Sequence, residues 1–177
     1  MRNKKLIVMM EISLCVALSI VLSHLRLWQM PNGGSVTLQM LPLFILAFRR
    51  GGKAGLAGGL VFGLLRMLLS PHVYHPVQGI LDYPLAFTLI GLAGYLRHFP
   101  IVAMLGTSLL RFISHVVAGQ VFFGHYAPEG MNPWWYSITY NGTHLVPEIL
   151  LTLVVYILVR SRRELFETER RTDQMAK

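Results

Sequence analysis

Six apolar segments separated by short breaks dominate this sequence and limit what it can fold into. They cover about residues 6–25, 36–48, 53–70, 77–96, 100–124 and 138–159. A helix needs about 20 apolar residues to cross a bilayer, so only the second segment is short for a span, and it is expected to begin earlier or to lie buried. Because 54% of the 177 residues are hydrophobic and only 14% are charged, we predict an all-α integral membrane protein with six helices.

The positive charges fall in alternate breaks between these segments. Lys and Arg concentrate at 2–5, 49–53, 97 and 160–163, whereas the opposite breaks at 26–35, 71–76 and 125–137 contain only Arg26. Cytoplasmic loops carry the excess of Lys and Arg in membrane proteins, so both termini are predicted to be cytoplasmic. The net charge of +8 is therefore attributed to membrane topology and not to nucleic-acid binding.

The chain is divided into a six-helix transmembrane domain, residues 1–163, and a polar cytoplasmic tail, residues 164–177. In the third helix Gly55, Gly59 and Gly63 recur every four residues, which favours close packing of helix backbones in lipid. A weaker row of small residues, Ser13 and Ala17, lies on the first helix and is a candidate contact for an external partner.

Several charged residues lie inside the apolar segments, where each costs roughly 2.5–3.5 kcal/mol at the bilayer centre and therefore needs a partner or a function. The candidates are Glu11, Arg66, Asp82, Arg111 and Glu148, with His115 and His144 beside them. For Arg66, a salt bridge or snorkelling to the interface is expected.

Asp82 lies about one turn into the fourth helix from the outer side, and Arg111 and His115 share a face of the fifth helix. One interpretation is a structural ion pair between Asp82 and Arg111. The other adds a small ligand at the outer ends of helices four to six, which also explains His115 and the tyrosines at 74, 83, 126, 136 and 140. A carboxylate among aromatic rings suits a flat ligand that is cationic or rich in nitrogen.

The sequence contains no pattern typical of catalysis, metal binding or nucleotide binding. The histidines follow no metalloprotease spacing, and no Gly-Lys-Ser/Thr loop is present to hold a phosphate. We therefore expect no metal and no cofactor, and any ATP that powers transport is expected to be used by another subunit.

Three stretches, "MPNGGSVTLQMLPLFILAFRRGGKAGLAGGLVFGLL", "HPVQGILDYPLAF" and "LRFISHVVAGQVFFGHYAPEGMNPWWYSITYNG", resemble the ThiT family. Its members are the thiamine-specific substrate-binding (S) components of energy-coupling-factor (ECF) vitamin importers. The resemblance implies the six-helix S-component fold in a prokaryotic cell membrane and a thiamine site that opens to the outside. It also implies three partner subunits, a transmembrane coupling protein packed on helix one and two cytoplasmic ATPases.

The resemblance assigns roles to individual residues. Asp82 and Tyr83 match the family's acidic–Tyr pair, Arg111 matches a basic residue that lines the site, and His115 matches the site histidine. Gly119 matches a glycine whose missing side chain makes room for the ligand. Arg111 is expected to hold Asp82, and His115 to contact the ligand.

Further residues complete the predicted site. Tyr136 and Asn141 match a Tyr and an Asn of helix six, Phe123 stands where some members have a stacking Trp, and Tyr74 matches a loop tyrosine. Thr37 stands where some members have Glu, which leaves Asp82 as the main anion. His144 and Glu148 are interpreted as inter-helix contacts.

Three functions are compatible with these residues. The first is high-affinity thiamine binding without catalysis. The second is binding of another vitamin or a pyrimidine precursor on the same fold. The third is an intramembrane enzyme that uses His115 and Asp82 as acid and base.

Overall fold

The computed structural model describes residues 3–31, 33–70 and 72–166. In chain order it contains α1 (Lys4–His24), an antiparallel hairpin of β1 (Trp28–Gln29) and β2 (Ser35–Val36), α2 (Met40–Arg50) and α3 (Gly52–Leu69). Next come α4 (Pro76–Ile80), a π-helix (Leu81–Leu85), α5 (Ala86–Ile90) and a 3₁₀-helix (Gly91–Leu96), which together form one composite helix, Pro76–Leu96. The chain continues with α6 (Pro100–Phe123), a 3₁₀ turn (Gly124–Tyr126), α7 (Pro133–Val159) and α8 (Arg163–Phe166).

Within the described ranges, five helices are long and apolar enough to cross a membrane: α1, α3, the composite helix, α6 with its 3₁₀ extension, and α7. These coincide with the first and the third to sixth predicted segments, so the prediction of a multi-pass helical membrane protein is confirmed. The cytoplasmic location of the termini stays a prediction, and residues 167–177 of the predicted tail lie outside the described residues.

The second predicted segment forms a short helix inside the bundle. α2 has 11 residues, a length of about 16 Å that is roughly half of the hydrocarbon thickness. Eight of its residues are buried, among them Met40, Leu43, Phe44 and Phe48 of the hydrophobic core. A helix that is apolar on every side belongs in the interior of a fold. α2 therefore lies in the interior of the bundle and forms part of its hydrophobic core.

Glycines on α3 let the composite helix approach closely, as the spacing predicts. A Cβ on Gly55 would lie 2.7 Å from the Gly91 carbonyl oxygen, and one on Gly59 would lie 2.2 Å from that of Phe87. A Cβ on Gly63 would lie 2.6 Å from Pro84 Cα. This glycine seam (Gly55, Gly59 and Gly63) brings the backbones of α3 and the composite helix into contact. The contact determines the position of the helix that carries Asp82.

At the opposite end of the bundle, Glu11 of α1 is held by the two arginines that end α2. Its carboxylate accepts hydrogen bonds from Arg49 at 3.3 Å and from Arg50. The charge that interrupts the first apolar segment is therefore compensated by an ion pair, which ties α1 to α2.

Candidate functional site

A cavity opens at the end of the bundle where the β1–β2 hairpin, the loop after α3, the end of α6 and the start of α7 meet. Its lining contains most of the predicted site residues: Asp82, Tyr83, Arg111, His115, Gly119, Phe123, Tyr136 and Asn141. Segments far apart in sequence thus converge as the sequence predicts, on the end that the charge distribution assigns to the outside.

Asp82 lies in the π-helical turn of the composite helix. Pro84 follows two residues later and has no backbone N–H, so the regular hydrogen-bond ladder cannot continue through it. The Ser114 hydroxyl donates a hydrogen bond to the Leu81 carbonyl at 2.6 Å, which satisfies a backbone acceptor in this irregular turn. Single π-helical turns inside α-helices occur frequently at functional sites, and this one carries both Asp82 and Tyr83.

The Asp82 carboxylate is fixed by two side chains. Gln78, one turn earlier, donates from Nε2 to one oxygen at 2.6 Å, and His115 Nδ1 lies 2.8 Å from the other. Both partners of the Asp82–His115 pair are mostly buried, with 15% and 13% of their side chains exposed. His115 lines the cavity, and its Nε2 is buried without a hydrogen-bond partner among the described residues.

The predicted pairing of Asp82 with Arg111 is wrong. Arg111 donates from Nη1 to Glu148 at 2.8 Å, and its guanidinium also lies 4.5 Å from the ring centroid of Phe87. The reason is the rise of α6, because Arg111 is four residues, or about 6 Å, farther from the cavity mouth than His115. At the depth of Arg111, the carboxylate within hydrogen-bonding distance is Glu148 of α7, whereas Asp82 lies at the depth of His115.

Glu148 is fully buried and accepts hydrogen bonds from three side chains, one on α6 and two in the segment between β2 and α2. Besides Arg111 of α6, its carboxylate accepts from the Thr37 hydroxyl at 2.7 Å and from Gln39 Nε2 at 2.9 Å. Thr37 is completely buried and lies outside the cavity lining, in contrast to its predicted place in the site. Its hydroxyl is directed to Glu148, so Thr37 supports the site from behind, and the expected inter-helix role of Glu148 is confirmed.

Aromatic rings form the outer part of the cavity. Phe123 and Tyr126 stack with ring centroids 6.4 Å apart, and Tyr136 and Tyr140 of α7 lie 5.9 Å apart. The Tyr140 hydroxyl donates to the Gly33 carbonyl at 3.0 Å and so joins α7 to the hairpin. Tyr74, predicted to belong to the site, does not line the cavity. Tyr74 is 68% exposed, and its ring packs edge-on against Phe123 with the ring centroids 5.8 Å apart.

Gly119 lines the cavity, but its missing side chain serves helix packing in addition. A Cβ at this position would lie 2.2 Å from Ser137 Oγ and 3.1 Å from Asn141 Nδ2. Asn141 in turn donates to the carbonyls of His115 at 3.3 Å and Ser137 at 2.9 Å. The glycine therefore allows α7 to approach α6 closely enough for Asn141 to be held at the cavity wall.

The lining also includes polar residues that the sequence interpretation did not place in the site. They are Arg26, Gln29, Ser35, Gln39, Arg66, Ser70, His72, Gln78, Ser137 and His144. Arg66 was expected to make a salt bridge or to snorkel, yet its Nε is buried without a hydrogen-bond partner in the described part of the chain. The position of Gln78, one helical turn before Asp82, was the sequence signal that could have identified it.

The predicted partner contact lies on a different surface. Ser13 and Ala17 are both exposed on α1, and only three residues of that helix, Val16, Ser19 and Ser23, are buried. Large apolar side chains such as Leu14 and Leu18 are also exposed beside them. The row of small residues is thus accessible from within the membrane.

Comparison with known proteins identifies the family. Residues 9–167 match the family described as thiamine transporter protein (Thia_YuaJ). The chain is 37% identical to the thiamine transporter ThiT of Bacillus subtilis, over 89% of this chain and 92% of that protein. It is 30% identical to ThiT of Lacticaseibacillus paracasei, over 87% of each.

The fold is similar to the solved structure of ThiT from Listeria monocytogenes, with a TM-score of 0.84 and 29% identity, over 94% of this chain and 100% of that chain. The family and these relatives are transporters and not enzymes, which contradicts the alternative that Asp82 and His115 perform acid–base catalysis. From the sequence match and the shared fold we conclude that this multi-pass membrane protein belongs to the thiamine transporter family.

Proposed function

We propose that the chain is the high-affinity thiamine-binding subunit of an ECF-type importer, which captures thiamine from outside and catalyses no reaction. The observation that carries this proposal is one carboxylate, Asp82, in a cavity whose other walls hold the rings of Phe123, Tyr126, Tyr136 and Tyr140. Among the described lining residues Asp82 is the sole acid. Thiamine combines a cationic thiazolium ring with a flat aminopyrimidine, and both match such a lining.

Each side chain has a role in this proposal. A desolvated cation over an aromatic face gains up to about 2 kcal/mol, and Asp82 adds charge attraction and a hydrogen-bond acceptor. His115, whose Nδ1 is engaged by Asp82, offers Nε2 to the ligand. Tyr136 and Asn141 supply further hydrogen-bonding groups from α7. Gln78 holds Asp82, and Asp82 holds His115, before the ligand arrives. This preorganisation limits the conformational entropy lost when the ligand binds.

The proposal includes delivery of thiamine through a transmembrane coupling subunit driven by two cytoplasmic ATPases. The sequence contains no phosphate-binding Gly-Lys-Ser/Thr loop, so the energy is assigned to these partners. The exposed Ser13 and Ala17 on α1 support a contact with the coupling subunit, because small residues permit close approach between helices in lipid.

Ligand identification on the purified protein tests the binding function. Material from cells is denatured and its released small molecules are analysed by mass spectrometry, and affinity is then measured by titration calorimetry. We expect thiamine to be released and to rebind with a dissociation constant far below that of its isolated pyrimidine or thiazole halves. Release of a different vitamin or of a pyrimidine precursor, with weak thiamine binding, would refute the assignment of the ligand.

A further inference from the structure

The charge of the cavity wall is unexpected for a site that receives a cation. Three arginines, Arg26, Arg66 and Arg111, line it, against the single carboxylate of Asp82 among the described lining residues. Arg26 is exposed, and Arg66 is only partly buried. Arg111 is 4% exposed, so its charge is the least screened by water.

Glu148 lies directly behind Arg111 and does not itself line the cavity. Its Oε2 accepts the hydrogen bond from Arg111 at 2.8 Å, and the side chains of the two residues are 0% and 5% exposed. Its other oxygen is held by Thr37 and Gln39. The carboxylate is thus fixed as a counter-ion to Arg111, the most deeply buried of the three arginines in the wall.

We infer that Glu148 is a positioning residue that determines ligand charge: by neutralising Arg111 from behind, it lets the cavity accept a cationic ligand. A buried positive charge close to a bound thiazolium repels it strongly, because little water is present to screen either charge. This inference rests on the proposed thiamine-binding function, and it assigns to Glu148 an effect on binding without contact with the ligand.

A purely structural role for Glu148 predicts a different result. The same carboxylate joins α7 to the segment between β2 and α2 through Thr37 and Gln39, so its loss could loosen the site for any ligand. If the role of Glu148 is electrostatic, its loss weakens the binding of a cationic ligand and leaves the binding of an uncharged ligand of equal shape nearly unchanged. The ratio of the two affinities separates these explanations.

The test compares thiamine with its uncharged isostere, in which a thiophene replaces the thiazolium ring, by titration calorimetry on wild type and Glu148→Gln. Gln keeps the shape, and its amide oxygen can still accept a hydrogen bond although its NH2 group cannot; it leaves Arg111 uncompensated. We expect thiamine binding to weaken by about 30-fold, the effect of a unit charge at about 8 Å with an effective dielectric constant near 20. Binding of the isostere is expected to change by less than about threefold, which also reports that the variant is folded.

Two further variants serve as controls. Thr37→Val removes the hydroxyl that donates to Glu148 and accepts from the Gln39 backbone N–H, but it keeps every charge, so it should leave the affinity ratio unchanged. The double variant Arg111→Gln/Glu148→Gln removes both charges and should restore the ratio to near the wild-type value. If Glu148→Gln alone does not fold, the double variant is compared with Arg111→Gln. The affinity for thiamine relative to the isostere must then be lower in the double variant than in Arg111→Gln.

The outcomes are distinct. Equal weakening of both ligands by Glu148→Gln, or unchanged thiamine binding in the folded variant, overturns the inference while the proposed function stands. A wild-type protein that binds no thiamine contradicts the proposed function and the inference together. A selective loss of thiamine that the double variant reverses supports the inference.

Discussion

Two pairs of polar residues along α6 organise the site, one turn apart. The outer pair, His115 with Asp82, faces the cavity; in the inner pair, Arg111 lines the deeper part of the cavity wall and Glu148 is buried behind it. Removing one member of a buried pair leaves the other uncompensated and typically costs about 3–5 kcal/mol. Substitutions that keep shape and hydrogen bonding are therefore the informative ones at these positions.

Asp82→Asn is expected to weaken thiamine binding by at least about tenfold, or about 1.4 kcal/mol, without unfolding the protein. The amide keeps an oxygen that can accept from Gln78 but loses the negative charge. Titration calorimetry measures the affinity, and Glu129→Gln, which neutralises an exposed acid in the loop before α7, serves as the control. Unchanged affinity in a well-folded Asp82→Asn protein would remove Asp82 from the binding site.

Phe123→Trp is expected to preserve or tighten thiamine binding and to add fluorescence that the ligand quenches. The indole has a stronger cation-attracting face than the phenyl ring, and Phe123 lines the cavity beside Tyr126. Fluorescence titration after subtraction of the wild-type signal measures this, with Phe99→Trp, at the opposite end of α6, as the control. An introduced indole at 123 that ignores saturating thiamine would place Phe123 outside the binding site.

At the level of residues, the sequence allowed the positions of Asp82 and His115 to be predicted, because helical spacing and the cost of intramembrane charge both point to them. It did not allow their partners to be predicted. Charge alone favours Arg111 as the partner of Asp82, but pairing depends on depth along α6 and on Glu148 of α7, which lies 37 residues after Arg111 in the chain. Thr37 and Tyr74 were misplaced because local sequence does not specify which way a loop side chain turns.

At the level of elements, the glycine seam of α3 determines where the composite helix lies. Its spacing was readable from the sequence, and so were the spans themselves, since hydropathy measures them directly. The π-helical turn was not predictable, because it depends on Pro84 together with a hydroxyl from α6, Ser114. The short hairpin between α1 and α2 could not be predicted either, because hydropathy detects only long apolar segments and each strand of the hairpin has two residues.

Gly59→Ala is expected to destabilise the protein by about 1–3 kcal/mol, because its Cβ would meet the Phe87 carbonyl at 2.2 Å and neither backbone can yield without moving a helix. Gly106→Ala is the matched control: it lies in α6 with no atom within 4 Å of the added Cβ, so helix propensity makes it neutral or slightly stabilising. Thermal unfolding in detergent measures both. Equal melting temperatures for the two variants would contradict the close-packing role of the seam.

At the level of the whole molecule, the binding cavity and the α1 surface are separate. The cavity lies among the hairpin, the composite helix, α6 and α7, whereas Ser13 and Ala17 of α1 contribute nothing to its lining. A substitution on α1 is therefore expected to change the proposed contact with a coupling subunit without altering the cavity. This separation makes capture and transport independently measurable.

Ala17→Trp is expected to abolish uptake by the complete importer while thiamine binding by the purified subunit stays normal, because an indole in the small-residue row prevents close approach of a partner helix. Uptake is measured in vesicles that hold the subunit with its coupling module and internal ATP, and Val154→Trp, at an exposed position on α7, is the control. The subunit alone, in vesicles with thiamine outside, should bind without accumulating it, since it has neither a nucleotide-binding loop nor the chain of intramembrane acids typical of a proton-driven carrier. Uphill uptake by the lone subunit would show that no energising partner is needed. Undiminished uptake by the Ala17→Trp complex would instead move the coupling contact away from this face of α1.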